Sequence, residues 1–461
     1  MTTDQASARP FPPGFVWGVA TASYQIEGAV DADGRLPSIW DTFSHTPGAV
    51  ANGDHGDVAC DHYHRWPEDL DLMRDLGVPA YRFSIAWPRV MPDGRTVNQA
   101  GLDFYKRLAD GLLERGIRPL ATLYHWDLPQ ALDDGAGGGW LDRDIADRFA
   151  DYAVVVGKEL GDRLGAVTTL NEPWCSAYLG YATGEHAPGR REPSLAYPVA
   201  HHLNLAHGRA ATALRSLLPA SAGVSVTLNP MQAVPASDDP ADVAAAEHVD
   251  LVANRIFFDP MLRGSYPEEL MEQTRHLTDW SFVRDGDLAE ICAPIDFLGI
   301  NFYNPARIAA YDGRHGFPGT DRASGTDIPG EHTVMDWPIV PSGLTDLLVR
   351  VHRDYGVPTM VTENGIAGFD EVVSDGAGGR AVHDRQRIDY LRSHLGAVLD
   401  AIDRGADVRG YYLWTLLDNF EWAWGYRMRF GVVHVDFETQ RRTVKDSARW
   451  YADVVGQNAL S

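Results

Sequence analysis

Short apolar or β-branched runs alternate with longer segments of helical period along almost the whole chain. Strands are expected at 15–22, 80–85, 119–124, 165–172, 223–228, 294–302, 357–365 and 408–413. Between and after them the apolar residues recur at helical spacing, predicting helices at 67–76, 99–115, 143–160, 195–218, 240–257, 342–355, 384–404 and 445–454. Pro67 suits a first helical turn, and Gly77, Gly116, Gly161 and Gly405 each follow a predicted helix as a stop. An irregular helical segment is expected at 267–290, and a long Gly-rich loop at 307–336. Strands alternating with helices imply a parallel sheet. Eight such units without a Pro/Ser linker or charge block between them favour a closed α/β barrel, a single (β/α)8 TIM barrel with extended βα loops, over an open sheet. The catalytic domain is expected at 14–461 and a mobile, disordered tail at 1–13, where the sequence is polar and Pro-rich. The insertions at 27–66, 256–291 and 304–340 all follow strands, the side on which a barrel builds its site.

Two of the expected strands close on glutamate. Thr169-Leu170-Asn171-Glu172-Pro173-Trp174 ends a β-branched run, and Pro173 can neither donate to the ladder nor favour helix at the residue before it. Thr362-Glu363-Asn364-Gly365 has the same build, with glycine as the breaker. Two carboxyl groups at strand ends are the minimum equipment for cutting a glycosidic bond. They can equally cap neighbouring helices, and position alone leaves both readings open.

Composition narrows the classes. The 461-residue chain is 44% hydrophobic and 23% charged, ordinary for a globular protein with a large core. A formal charge of −24 argues against nucleic acid or an anionic membrane as partner. The 13 Trp and 18 Tyr supply flat faces on which sugar rings stack, although a large barrel core is also aromatic-rich. Cys60, Cys175 and Cys292 have neither disulfide-framework nor zinc spacing and suit a reducing compartment. No secretory signal and no apolar run of about 18 residues is present, so a cytoplasmic location is expected. No metal is expected: His62 and His64 lack further ligand spacing, and 52–57 lacks the closing Glu of a calcium loop. No Gly-rich phosphate or dinucleotide fingerprint follows a strand, so no cofactor is expected.

Other strand ends carry candidate chemistry. Gln25 closes the first expected strand with a donor and an acceptor. His125-Trp126 closes the third; the pair can grip a hydroxyl and stack on a ring, or simply satisfy backbone and pack. Arg82 lies inside an apolar barrel strand and is costly there unless paired, with Glu363 the candidate partner. A carboxylate beside Arg stays ionised, as a nucleophile must, so Glu363 is the expected nucleophile. Glu172 then has to hold a proton near neutral pH and serve as the acid. Glu421, between Phe420 and Trp422 in the densest aromatic segment, has the look of a hydroxyl acceptor beside a stacking platform, or of a cap in an aromatic loop.

These residues resemble those of the family 1 glycoside hydrolases, the retaining β-glucosidases, from Phe15 to about Tyr451. Phe15-Val-Trp-Gly-Val-Ala-Thr-Ala-Ser-Tyr-Gln-Ile-Glu-Gly28 is similar to the family's N-terminal signature, Thr169 to Pro173 to its acid/base motif, and Thr362 to Gly365 to its nucleophile motif. The resemblance implies that Glu363 attacks the anomeric carbon and that Glu172 protonates the leaving oxygen and then activates water. It implies that Arg82 and Tyr303 hold the nucleophile, that Gln25, His125, Asn171, Glu421 and Trp422 bind the non-reducing sugar, that Trp414 lies under its ring, and that Trp337 walls the aglycone site. Terminal non-reducing β-D-glucosyl residues of small β-glucosides or cello-oligosaccharides would be the substrates, with some activity on β-galactosides and β-fucosides, which suggests carbohydrate metabolism and cellulose degradation. The 6-phospho-glycosidases of this family carry Ser at the position of Glu421 and Lys at that of Met428, so the resemblance implies an unphosphorylated sugar. Its thioglucosidases carry Gln where this chain has Glu172, which implies O-glycosides. Many members read Trp-Ala-Glu-Gly-Tyr where this chain has Trp422-Ala-Trp424-Gly-Tyr426. A transglycosylating enzyme and a non-catalytic sugar-binding barrel are the alternatives.

Overall fold

A computed structural model describes residues 8–135, 137–314, 316–376 and 379–461. Eight parallel strands close into a barrel. They are β1 (Val16–Ala20), β2 (Ala80–Ser84), β3 (Arg118–Tyr124), β4 (Ala166–Asn171), β5 (Gly223–Leu228), β6 (Phe297–Asn301), β7 (Thr359–Asn364) and β8 (Val408–Trp414). Each pairs with its sequence neighbours, and β8 returns to β1 with Trp414 opposite Ala20. The strands run largely buried because helices cover the barrel's outside while side chains fill its inside. The helix Gln99–Glu114 shows the covering logic: Leu102, Tyr105, Leu108 and Leu112 recur at helical spacing and are all buried.

The strand C-termini are less regular than the pattern suggests. Register slips occur in β4 against β5 between Thr168 and Asn171, and in β7 between Val361 and the Glu363–Asn364 pair. Such irregularities bend a strand end and re-aim its side chains. They fall on the two strands that carry the glutamates. Gly365 is required just beyond: a Cβ there would lie 1.8 Å from the Trp414 carbonyl oxygen.

Several expectations are corrected. The tail expected through residue 13 gives way at Arg9, because Arg9–Pro10 pairs with Ala459–Leu460 and Phe11 is buried against Phe15 and Trp17. Residues 1–7 lie outside the described residues. The helix expected to start at Pro67 runs His62–Asp75, with Pro67 inside its second turn. The expected loop 307–336 contributes Ala306–Ala310 and Ala323–Thr326 to a three-stranded sheet with Ala233–Pro235. Alternation there is too short to read locally, and the pairing partner lies in the loop after β5. The segment expected as one helix at 240–257 passes through a π-helical stretch, Asp250–Arg255, and continues to Arg263. Among the described residues, no helix is long and apolar enough to cross a membrane.

Candidate active site

At the C-terminal mouth of the barrel, Glu172 and Glu363 enter one hydrogen-bonded network. The strand ends bring them there, and the network binds them to different partners. Arg82, fully buried in β2, donates from Nη1 to Glu363 Oε1 at 2.5 Å and from Nη2 to Asn171 Oδ1 at 2.5 Å. Tyr303 donates its hydroxyl to Glu363 Oε2 at 2.8 Å. Among the described residues, Glu172 forms no ion pair, and Arg82 reaches it only as a more distant charge. Asn301 Nδ2 donates to its Oε1 at 2.7 Å, and the Cys175 thiol lies 3.2 Å from its Oε2. Cys175 opens a π-helical segment, Cys175–Thr183, which places the thiol beside the residue that closes β4.

The electrostatics separate the two carboxyl groups. Burial, followed by the charge of Glu363, pushes Glu172 up to about 8. Burial raises Glu363 as well, but Arg82 and Tyr303 oppose that shift by favouring its ionised form. Glu421 is a third carboxyl, pushed up to about 8 by burial and then by the charges of Glu363 and Glu172. One guanidinium faces this group. The negative charge therefore settles on Glu363, which touches it, and the other two carboxyls hold protons near neutral pH.

Around this centre lie groups suited to a polyhydroxylated ring. His125 sits at the end of β3, and burial and then Arg82 hold its ring well below the usual histidine range, so it is neutral. Asn171 Nδ2 donates to His125 Nε2 at 3.1 Å, which assigns the proton to Nδ1, a buried atom with no partner among the described residues. Gln25 lies on a helical turn, Ser23–Ile26, rather than in β1 itself. Its amide nitrogen is engaged by the Phe420 carbonyl at 2.9 Å and by Asn419 Oδ1 at 3.1 Å, so the free group is its acceptor oxygen alone. The expectation that Gln25 offers a ligand both a donor and an acceptor is corrected accordingly. His125 stacks near Trp414 (5.8 Å between centroids) and Trp422 (5.9 Å). Trp126 packs on Trp422 at 4.5 Å, and its indole N–H donates to the Asn171 carbonyl at 2.9 Å, which commits its polar edge to the protein. Trp337 stands beside Tyr303, 5.4 Å between centroids, and beside Phe430.

The structure thus brings all the candidate residues into one connected group. Three of them, Trp126 (φ 76°), Glu172 (φ 47°) and Trp422 (φ 47°), occupy the left-handed region that bulky residues avoid. Such backbone costs on the order of 1–3 kcal/mol per residue and persists where surrounding packing holds it, often at functional sites. Sequence reasoning misses Asn301, although it closes β6 as the glutamates close their strands. The same test, a polar residue at a barrel strand's end, finds it. Cys175 carries no comparable signal, because only the π-helical turn brings it to Glu172.

A closed parallel barrel with two carboxyl groups of opposed environment at its C-terminal mouth, ringed by indoles, defines a glycoside-cleaving enzyme. Comparison with known proteins carries this further. Residues 7–460 match the sequence model of glycosyl hydrolase family 1, and the chain belongs to that family. It is 54% identical to a bifunctional β-D-glucosidase/β-D-fucosidase of Bifidobacterium breve, over 97% of this chain and 99% of that protein. A solved structure of the family 1 β-glucosidase from Thermotoga maritima superposes with a TM-score of 0.93 at 46% identity, covering 99% of this chain and 100% of that one. The structure of that enzyme with isofagomine lactam gives 0.92 at 46% identity, over 98% and 100% of the two chains. The protein is therefore a family 1 β-glucosidase, of a family that retains anomeric configuration.

Proposed function

We propose that this enzyme hydrolyses terminal, non-reducing β-D-glucosyl residues of small β-glucosides and cello-oligosaccharides by double displacement, with Glu363 as nucleophile and Glu172 as acid/base. The observation that carries the assignment is the unequal environment of the two glutamates: Arg82 at 2.5 Å from one, no ion pair among the described residues at the other. The Glu363 carboxylate attacks the anomeric carbon while Glu172 passes its proton to the departing glycosidic oxygen. Glu172, now a carboxylate, takes a proton from water, and that water's oxygen attacks the same carbon and releases Glu363. His125 Nδ1–H and Gln25 Oε1, both without partners among the described residues, fit neighbouring sugar hydroxyls as donor and acceptor. Asn171, Glu421 and Trp422 complete the glucose site, Trp414 lies under the ring, and Trp337 walls the aglycone side. Trp126 contributes as a packing support for Trp422. Acceptance of β-D-fucosides accompanies this reading, since the Bifidobacterium breve relative carries that activity by name. A cytoplasmic setting and a part in cellulose breakdown also belong to it; all three cysteines are free thiols, as a reducing compartment keeps them.

The surroundings of Glu421 favour an unphosphorylated sugar. Met428 is buried among apolar groups, and Arg429 is engaged by Asp418 at 2.8 Å and by the Val435 carbonyl. A phosphate brought to Met428 would lose water against an apolar side chain and would find Arg429 already paired with Asp418. In parallel assays at neutral pH, p-nitrophenyl β-D-glucoside and β-D-fucoside are expected to be cleaved, and the glucoside 6-phosphate slower by about 10²–10³-fold, the scale set by an unpaired buried charge. Cleavage of the phosphate alone would overturn the reading of this loop.

The nucleophile's support has its own test. Arg82→Met leaves Glu363 and Asn171 without their guanidinium and is expected to cost about 3–5 kcal/mol of stability. Arg82 favours the ionised form of Glu363, so its loss raises the carboxyl's pKa. The acid limb of the kcat/KM profile should then move to higher pH, with a fall in rate of about 10²–10³. An unchanged acid limb in a folded variant would separate Arg82 from Glu363's ionisation.

A further inference from the structure

His45, His55 and Asp57 lie in the loop after β1, outside the glutamate network, and none of them takes part in the chemistry above. His45 follows the short helix Ile39–Ser44, and His55 and Asp57 follow the turn Ala51–Gly53. His45 Nε2 lies 3.3 Å from Asp57 Oδ2, and His55 Nδ1 lies 3.2 Å from Asp57 Oδ1. One ligand atom from each of the three falls within 4.8 Å of the others. The residues are accessible, with side-chain exposures of 49% and 43% for the histidines and 31% for Asp57.

We propose that His45, His55 and Asp57 form a binding site for a divalent transition-metal ion, zinc above all, which joins residue 45 to residues 55 and 57 within the loop after β1. Zinc binds imidazole nitrogen and carboxylate oxygen at about 2.0–2.2 Å, and a tetrahedron of such bonds has edges of roughly 3.3 Å. Each histidine nitrogen lies at about that distance from one Asp57 oxygen, His45 from Oδ2 and His55 from Oδ1, so a small turn of the carboxylate would bring one oxygen to both. The His45 ring is already oriented as a ligand, since its Nδ1 lies 2.7 Å from the Asp41 carbonyl, which fixes the proton there and turns the Nε2 lone pair toward Asp57. A metal-ligating histidine is commonly held by such a hydrogen bond at its other nitrogen. A lone pair facing a carboxylate is unfavourable without a cation between them. A single proton on His45 Nε2 would also serve, since neutral His55 can donate from Nδ1 to Asp57, so proton and metal compete for this nitrogen. A divalent ion in that place would draw on all three side chains at once. Two nitrogens and one carboxylate suit zinc, copper or nickel, and not calcium or magnesium, which take oxygen ligands.

The clamp would reach the mouth indirectly. Trp40, in the helix before His45, packs on Trp422 at 4.6 Å. On the other arm, the Tyr426 hydroxyl donates to the His55 carbonyl at 2.8 Å, and the Tyr426 backbone N–H donates to Asp54 at 3.0 Å. Gly425 permits this approach: a Cβ there would lie 2.3 Å from Asp54 Oδ2. Both arms therefore touch the segment that carries Glu421 and Trp422.

The test is a titration of the full, chelator-treated chain with zinc chloride by calorimetry, with cobalt(II) absorption as a second readout. About one equivalent is expected to bind, with tetrahedral cobalt bands and a rise in Tm. His45→Gln, His55→Gln and Asp57→Asn should each weaken binding by about tenfold or more. Their hydrolysis of p-nitrophenyl β-D-glucoside without metal should stay at the level of the unchanged chain, which shows that each variant is folded. Zinc binding of undiminished affinity in the His45→Gln/His55→Gln double variant would place the ion elsewhere, for example at the half-buried Cys292, and would overturn the proposal. So would the absence of any binding to the unchanged chain.

Discussion

Glu363→Ala is expected to hydrolyse p-nitrophenyl β-D-glucoside roughly 10⁵-fold more slowly than the unchanged enzyme, the scale at which removing a catalytic nucleophile acts. The network explains the size. Glu363 is the carboxylate that the guanidinium and the Tyr303 hydroxyl hold ionised, and Glu172 and Glu421 hold protons in its presence. No neighbouring group among the described residues replaces it as a nucleophile. The alanine leaves space beside Arg82 that a small anion can enter, so azide should restore turnover of a substrate with an activated leaving group. Because azide would attack from the side on which Glu363 stands, the product should be the α-glycosyl azide. The substitution also leaves a buried guanidinium short of a partner, at a cost of about 3–5 kcal/mol. Glu363→Gln keeps acceptor and shape, and serves as the control for folding. Hydrolysis near the original rate in either variant would end the assignment.

Glu172→Gln should act differently. For a substrate whose leaving group needs a proton, kcat/KM is expected to fall by about 10²–10⁴, the usual worth of a general acid. A dinitrophenyl glucoside needs no such help; its glycosyl-enzyme should form quickly and then persist, because no base remains to activate water. A burst followed by slow turnover is the expected trace, and azide should accelerate the slow phase and yield the β-glycosyl azide. The pH dependence gives a further sign. Glu172 must be protonated for the first step, and its pKa is raised to about 8, so kcat/KM should decline as pH rises through that value. Glu172→Gln cannot lose that proton, and its alkaline limb should vanish. An alkaline limb that survives would assign it to another group, with Glu421 next in order.

Much of the site is legible in the sequence because a parallel barrel presents its strand ends at one face. Once Thr169 to Pro173 and Thr362 to Gly365 read as strand ends, their glutamates have to meet. Arg82 is legible for a related reason: a charge in an apolar strand demands a partner. The positions that escape depend on contacts between distant segments. Asn301 reaches Glu172 across 129 positions. Cys175 depends on a π-helical turn that no local pattern announces. Gln25's role narrows because residues 419 and 420, at the far end of the chain, occupy its donors.

The small sheet after β5 and β6 escapes in part for the same reason: its strands are three to five residues long, and the pairing of Ala233–Pro235 with 306–308 spans more than seventy positions. The pairing of Arg9–Pro10 with the chain's other end does too.

Hydrophobic period and strand-end chemistry by themselves determined the eight-unit barrel, the two glutamates and the arginine that discriminates between them, because each follows from local order along the chain. Tertiary structure alone decided the left-handed backbone at Trp126, Glu172 and Trp422, the register slips that aim β4 and β7, and the burial that raises Glu172 to about 8. Those depend on desolvation and packing by residues far apart in sequence, and a carboxyl group's pKa is set by what surrounds it in space.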